Sequence, residues 1–234
     1  MKQISSKGIL SILVISILFG FINNPDINKL QKDKKFKVII TYDITYSGDI
    51  DPATLASQPK DMIVKIMGNK TRQEYGGTSI IYDGDTKTNI ILIDVANKKY
   101  ALKTTKEDIE KNLKENPAPK IKYIEGETKT IAGYLCKKAE ITETDPDNGE
   151  EVTTTLFYTD EFGSEDMNYG TQFHGLNGWP LEYEMTGQNI TIKYTAHSIN
   201  KKAKISEADF LIPDDYQITS KEKLMELFGG DENE

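Results

Sequence analysis

Few side chains in this sequence could make or break bonds. There is one cysteine, Cys136, and there are two histidines, His174 and His197. A nucleophilic thiol needs a base within hydrogen-bond reach, and no histidine lies near Cys136 along the chain. Cys136 therefore reads as a small packed strand residue. One cysteine and two histidines cannot supply a His/Cys metal cluster. His174 stands in a glycine- and aromatic-rich stretch and reads as a loop histidine. Adjacent carboxylates occur at Glu150-Glu151 and Asp214-Asp215. Neighbours on a strand point to opposite faces, so neither pair makes an acid/base dyad. Asp147-Asn148-Gly149 has the residue types of a calcium loop, but not EF-hand spacing, and a hairpin turn uses the same residues. There is no Gly-x-Ser-x-Gly elbow, P-loop, dinucleotide fingerprint or zincin helix. The expectation is a protein that is not an enzyme and holds no cofactor or metal.

The elements that would carry a site read as strands. Glu127 to Thr144 opens at Gly133 and places Leu135, Ala139 and Ile141 on one parity, with Tyr134, Cys136, Lys138 and Glu140 on the other. Phe36, Val38, Ile40, Tyr42, Ile44 and Tyr46 share one parity, a strand signal that few segments of the chain exceed. Gly68-Asn69, Asp83-Gly84 and Ala96-Asn97 mark turns at hairpin spacing. The spacing predicts a meander, and no long helices intervene to make parallel βαβ units.

Short helices punctuate the strands. Asp51-Pro52 starts one, as an N-cap followed by proline. Thr104 to Asn116 forms another, with a capping box from Thr104 to Glu107 and apolar Ile109 and Leu113. A third runs from Ser220 to Phe228. Leu181, Tyr183 and Met185 pair with Ile190, Ile192 and Tyr194 around Gly187, and 201–213 is expected to end the sheet. Residues 161–179 have no period, hold the only tryptophan, Trp179, and read as a functional loop or a lid. Arg72 is the only arginine.

Composition bounds the partners. The chain has 234 residues and a formal net charge of -8, with a pI near 5.0, which argues against nucleic acid. Lys2 and Lys7 precede an apolar run from Ile9 to Ile22, too short for a ~30 Å span and suited to a signal peptide. Removing residues 1–22 takes away two lysines and no acids, so the charge goes from -8 to -10. No cysteine follows the run, so no lipid anchor is expected. The expected division is signal peptide 1–22, spacer 23–35, one β-rich domain 36–228 and an acidic tail 229–234, in a periplasmic or envelope protein. Asn69-Lys-Thr71 and Asn189-Ile-Thr191 match glycosylation acceptors, a pattern common by chance.

Several segments together resemble a known group. They are KVIITYDITYSG, the hairpin MIVKIMGNKTRQEYGG, Thr130-Ile-Ala-Gly133-Tyr134-Leu135-Cys136-Lys137-Lys138, Gly178-Trp-Pro180-Leu181-Glu-Tyr183 and Phe210-Leu-Ile-Pro213. Over residues 36–216 the chain resembles an exported family related to the LolA-like superfamily of periplasmic lipoprotein carriers. The resemblance implies a half-barrel, a curved antiparallel sheet around short helices whose concave face takes a lipid or an acylated ligand. Its lining would come from Phe36, Val38, Ile40, Tyr42, Val64, Ile66, Leu181, Tyr183, Ile192 and Tyr194. The same residues could instead pack on the helices and leave no cavity. The rival reading is a binding module whose 161–179 loop contacts an envelope protein or a glycan.

Overall fold

The computed structural model describes residues 36–228, except positions 96, 117, 145–148, 150 and 188–189. The signal segment, the spacer and the acidic tail expected from the sequence lie outside the described residues, as do Asp147, Asn148 and Asn189.

The described residues form one mainly β domain. Strands β1 (Lys37–Gly48), β2 (Asp61–Met67), β3 (Lys70–Tyr75), β4 (Thr78–Asp83), β5 (Thr88–Val95) and β6 (Lys98–Thr104) build the first half. Strands β7 (Lys120–Ile131), β8 (Tyr134–Thr144), β9 (Glu151–Thr159), β10 (Trp179–Gly187) and β11 (Ile190–Asn200) build the second, and β12 (Gln217–Thr219) ends it. All twelve join in one open, curved sheet in the order β12-β6-β5-β4-β3-β2-β1-β11-β10-β9-β8-β7. Each half is a meander, as the turn spacing predicts. The halves meet where β11 returns beside β1, from Ile39–Asn200 to Gly48–Ile190.

β1 is central because its alternation lets it pack inward while pairing on both sides. Val38, Ile40 and Tyr42 are fully buried, and Thr45 on the other parity is exposed. Side chains of this kind contribute about 1.5–3 kcal/mol each when buried.

Three details differ from the sequence reading. β12 pairs parallel with β6, because residues 201–216 cross the outer face before the chain rejoins the sheet. That stretch is not a strand. It is irregular chain with a 3-10 turn at Glu207–Phe210, and its Phe210 and Ile205 bury against Met67, Ile81, Leu92 and Ala101. In β8, Leu135 is 64% exposed while Cys136, Ala139 and Ile141 are buried. The inward parity changes between Cys136 and Ala139, where the pairing with β7 is irregular between Ile124 and Thr128.

The helices are short. α1 (Pro52–Ser57) is capped by Asp51, as expected, and buries no residue. α2 (Lys106–Glu115) is capped one residue later than the sequence suggests, by a box between Thr105 and Asp108, and buries Ile109. α3 (Glu165–Asn168) is a single turn, and α4 (Lys221–Phe228) follows β12.

Candidate functional site

The inner face of the sheet is covered by the chain between β9 and β10. Phe162, Met167, Phe173, Leu176 and Trp179 all point into the main core. The segment is a plug whose ends are pinched together, the form of an Ω-loop. A Cβ on Gly163 would lie 2.4 Å from the backbone of Gly178. Gly178 is itself in the left-handed region, with φ 145°, and its own Cβ would lie 2.5 Å from Thr159 O. These two glycines let the plug close.

Polar side chains then fix the plug. Asn168 is 1% exposed. Its amide nitrogen donates to Leu176 O at 2.7 Å and Gly178 O at 2.9 Å. Trp179 Nε1 donates to Tyr42 Oη at 2.8 Å, and that hydroxyl donates to Pro180 O at 2.7 Å. Burial among apolar neighbours raises the Tyr42 phenol far above its usual range, so it stays neutral. Toward the first half, Lys87 pairs with Asp166 at 2.7 Å, and Ser164 Oγ donates to Asn69 at 3.2 Å. Toward β7, Asn177 N donates to Tyr123 Oη at 3.2 Å.

The ten residues expected to line a cavity come together on this inner face. Val38, Ile40, Tyr42, Val64, Ile66, Leu181 and Tyr183 are buried in one cluster, and Phe36, Ile192 and Tyr194 are partly buried against it. Tyr183 stacks on Tyr194 at 4.6 Å and meets Phe173 edge-on at 5.0 Å. Phe36 stacks on Phe162 at 5.6 Å. The ten form a floor under the plug.

Open space lies on both flanks of the plug. One cleft, about 220 Å³, runs between the plug and the ends of β8, β9 and β10. Ile141, Leu156 and Phe173 form its depth, and Val152 and Met185, each 41% exposed, stand at its mouth. Glu143 is exposed as a whole, but desolvation beside the cleft raises its carboxyl above its usual range. A second cleft, about 180 Å³, lies between the plug and the inner faces of β3, β4 and β5. None of the ten floor residues lines either cleft. Sequence reasoning missed both clefts. Each exists only because the plug stands off the sheet at its flanks, and no local pattern encodes that.

The groups with chemical potential are in structural roles. Cys136 is fully buried, and burial pushes its thiol up to about 11. His174 accepts a hydrogen bond at Nδ1 from Gly170 N at 2.8 Å and packs on Tyr169. Its pKa is lowered by burial and by Lys87, so the ring is neutral near pH 7. Arg72 Nε lies 2.6 Å from Glu74, and its Nη1 donates to Asp209 O at 3.1 Å. It clips the 3-10 turn to the outer side of β3. Among the described residues no group of His, Cys, Asp and Glu could hold a metal ion, and no helix is long and apolar enough to cross a membrane.

No family model and no curated protein matches the chain. Among solved structures, PNGF-II in one crystal form overlays 81% of this chain with a TM-score of 0.50 and 17% identity. In a second form it overlays 82% with a TM-score of 0.51 and 15% identity. The chain spans 31% and 33% of those PNGF-II chains. MucB in its complex with MucA from Pseudomonas aeruginosa overlays 78% of this chain and 58% of its own, at a TM-score of 0.35 and 10% identity. LprF from Mycobacterium bovis overlays 83% and 99%, at 0.31 and 10%. At these identities the PNGF-II likeness concerns the fold alone, and the MucB and LprF likenesses are weaker still. The chain shares with part of PNGF-II the path of a large, curved, open antiparallel sheet.

Proposed function

We propose that this chain is an exported, non-enzymatic binding protein of the cell envelope. It takes an apolar ligand, such as the acyl part of a lipid, on the inner side of a LolA-like half-barrel. One observation carries the reading: the 220 Å³ cleft beside the plug, apolar in depth and open past Val152 and Met185. Soluble domains leave such space apolar and accessible where a ligand enters.

The cleft is at or below the small end of ligand sites. Each buried methylene contributes about 0.8 kcal/mol, so about six contribute about 5 kcal/mol. Association costs at least about 4 kcal/mol. A chain held by this cleft alone therefore binds weakly. Tighter binding requires the plug to lift from the floor of Val38, Ile40, Tyr42, Val64, Ile66, Leu181 and Tyr183, with Phe36, Ile192 and Tyr194 at its margin.

Uptake of cis-parinaric acid tests the reading. The wild-type protein should show saturable fluorescence enhancement, and Met185→Glu, a change at a 41% exposed position, should weaken it about tenfold or more. No uptake by the wild type, or equal uptake by both proteins, would overturn the assignment. Recovery of a bound lipid by native mass spectrometry would identify the natural ligand.

A further inference from the structure

The cleft on the opposite flank of the plug is less apolar and carries more side-chain amides. Its sheet side is made by Thr71 and Gln73 of β3, Ile80 and Tyr82 of β4 and Asn89 of β5. The pairing register explains why they converge. Thr71 is opposite Tyr82, and Tyr82 is opposite Asn89, so the three side chains project from one inner patch. The plug side contributes Thr171 and Gln172, with Phe173 and Trp179 as aromatic walls.

Two polar atoms here have no partner. Tyr82 is 3% exposed, and its hydroxyl makes no hydrogen bond. The Asn89 side-chain oxygen is likewise buried and unpaired. Buried polar atoms are nearly always satisfied, so two orphans facing one cleft mark the place of something that hydrogen-bonds. A cleft of about 180 Å³ has room for several waters or for a small polar molecule.

The lining selects the class of ligand. It contains no charged side chain, so an anion or a cation would be buried without a counter-charge. An acyl chain would leave the Tyr82 hydroxyl and the Asn89 oxygen unsatisfied. A ligand with several neutral hydroxyls both donates and accepts, which suits the Tyr82 phenol, the amides of Gln73, Asn89 and Gln172, and two threonines. Its apolar C–H faces can rest on Phe173 and Trp179. We propose that this cleft binds one ring of a neutral sugar, at a site separate from the apolar cleft and independent of whether that cleft takes a lipid.

The test is saturation-transfer NMR on the full chain with methyl β-D-glucopyranoside, methyl α-D-mannopyranoside and N-acetyl-D-glucosamine as separate probes. At least one should bind saturably to the wild type. Tyr82→Phe and, at half-buried Gln73 of β3, Gln73→Leu should each weaken that probe about fivefold, the scale of one hydrogen bond. Fluorescence of Trp179, the only tryptophan, checks that the plug is in place in both variants. Val152→Glu, at the mouth of the apolar cleft only, should leave sugar binding unchanged. No saturable binding of any probe by the wild type would mean that the cleft holds water only and would overturn the assignment. Binding that neither variant weakens would also overturn it, by placing the sugar elsewhere.

Discussion

The hydrogen bonds from Trp179 to Tyr42 and from Tyr42 to Pro180 give the most direct measure of how firmly the plug is held. Tyr42→Phe keeps the ring and its packing and removes only the hydroxyl oxygen. In the fully buried site this leaves two groups without partners, Trp179 Nε1–H and Pro180 O. Each orphaned buried group costs about 1–3 kcal/mol. The phenol is no longer desolvated in the variant, which offsets part of that. The expected loss is about 3 kcal/mol. For a domain of this size each kcal/mol lowers Tm by about 2–4 °C, so Tm should fall by about 6–12 °C. Guanidinium titration and thermal melts followed by circular dichroism measure the loss, and Trp179 fluorescence shows whether the plug loosens first. Tyr46→Phe is the matched control. Tyr46 Oη donates to Pro59 O at 2.8 Å from a half-buried site, where water can replace it, so that change should cost about 1 kcal/mol or less. Equal losses in the two variants, or a loss below about 1 kcal/mol for Tyr42→Phe, would refute the claim that this pair of bonds locks the plug.

Two further outcomes follow from buried ionisable groups. Glu182 is 7% exposed and sits 2.8 Å from Lys129 and 3.5 Å from Lys193. Burial alone would raise its carboxyl, but the two ammonium groups outweigh that and hold it below the usual range. A depressed folded-state pKa stabilises above the unfolded value of about 4.3, and the contribution is lost as pH falls through the folded value. Glu182→Gln should therefore cost about 1–2 kcal/mol at pH 7, discounted because Lys129 is 45% exposed, and the gap to wild type should close on acidification below about pH 4. A gap that persists in acid would show that packing, not charge, sets the loss. Cys136, with its thiol pushed up to about 11 and no exposed surface, should resist Ellman's reagent at pH 8 in native buffer and react fully in guanidinium. Rapid stoichiometric labelling of the native protein would contradict that burial.

Much of the sheet is legible because strand packing leaves a period of two. In β1 the inward parity is read directly from Val38, Ile40, Tyr42 and Ile44, all buried. Hairpins follow from Gly68-Asn69, flanked by the pair Met67–Lys70, and from Gly187, which pairs with Ile190. The signal fails where pairing is irregular. At Leu135 the parity rule points inward, yet the side chain is exposed, because the inward face changes hands before Ala139. Residues 201–213, expected to end the sheet, hold the 3-10 segment on its outer face. The backbone there turns under the clip of Arg72, a contact between residues 137 apart in the chain.

The plug shows a different kind of failure. Phe162, Met167, Phe173, Leu176 and Trp179 are spaced by five, six, three and three residues, so no helix or strand period can register them. What did stand in the sequence was composition. Five large apolar residues and four glycines between 162 and 179 are too apolar for a solvated loop, and a stretch that must bury its side chains without a regular backbone folds as a plug.

That plug also gives the inner face its asymmetry, which no strand shows alone. Thr71 and Gln73 alternate with Lys70, Arg72 and Glu74, so β3 reads as polar on both sides. Only when residues 167–173 lie across β3 to β5 does one of those polar sides become an interior wall with orphaned groups, while the other half of the face keeps Ile141 and Leu156. A single greasy half-barrel would need the floor of the sheet bare. Here the floor is occupied by the chain's own aromatic residues, and the open space beside the plug is divided into a more apolar flank and a more polar one, with Gln172 and Phe173 as the shared wall between them.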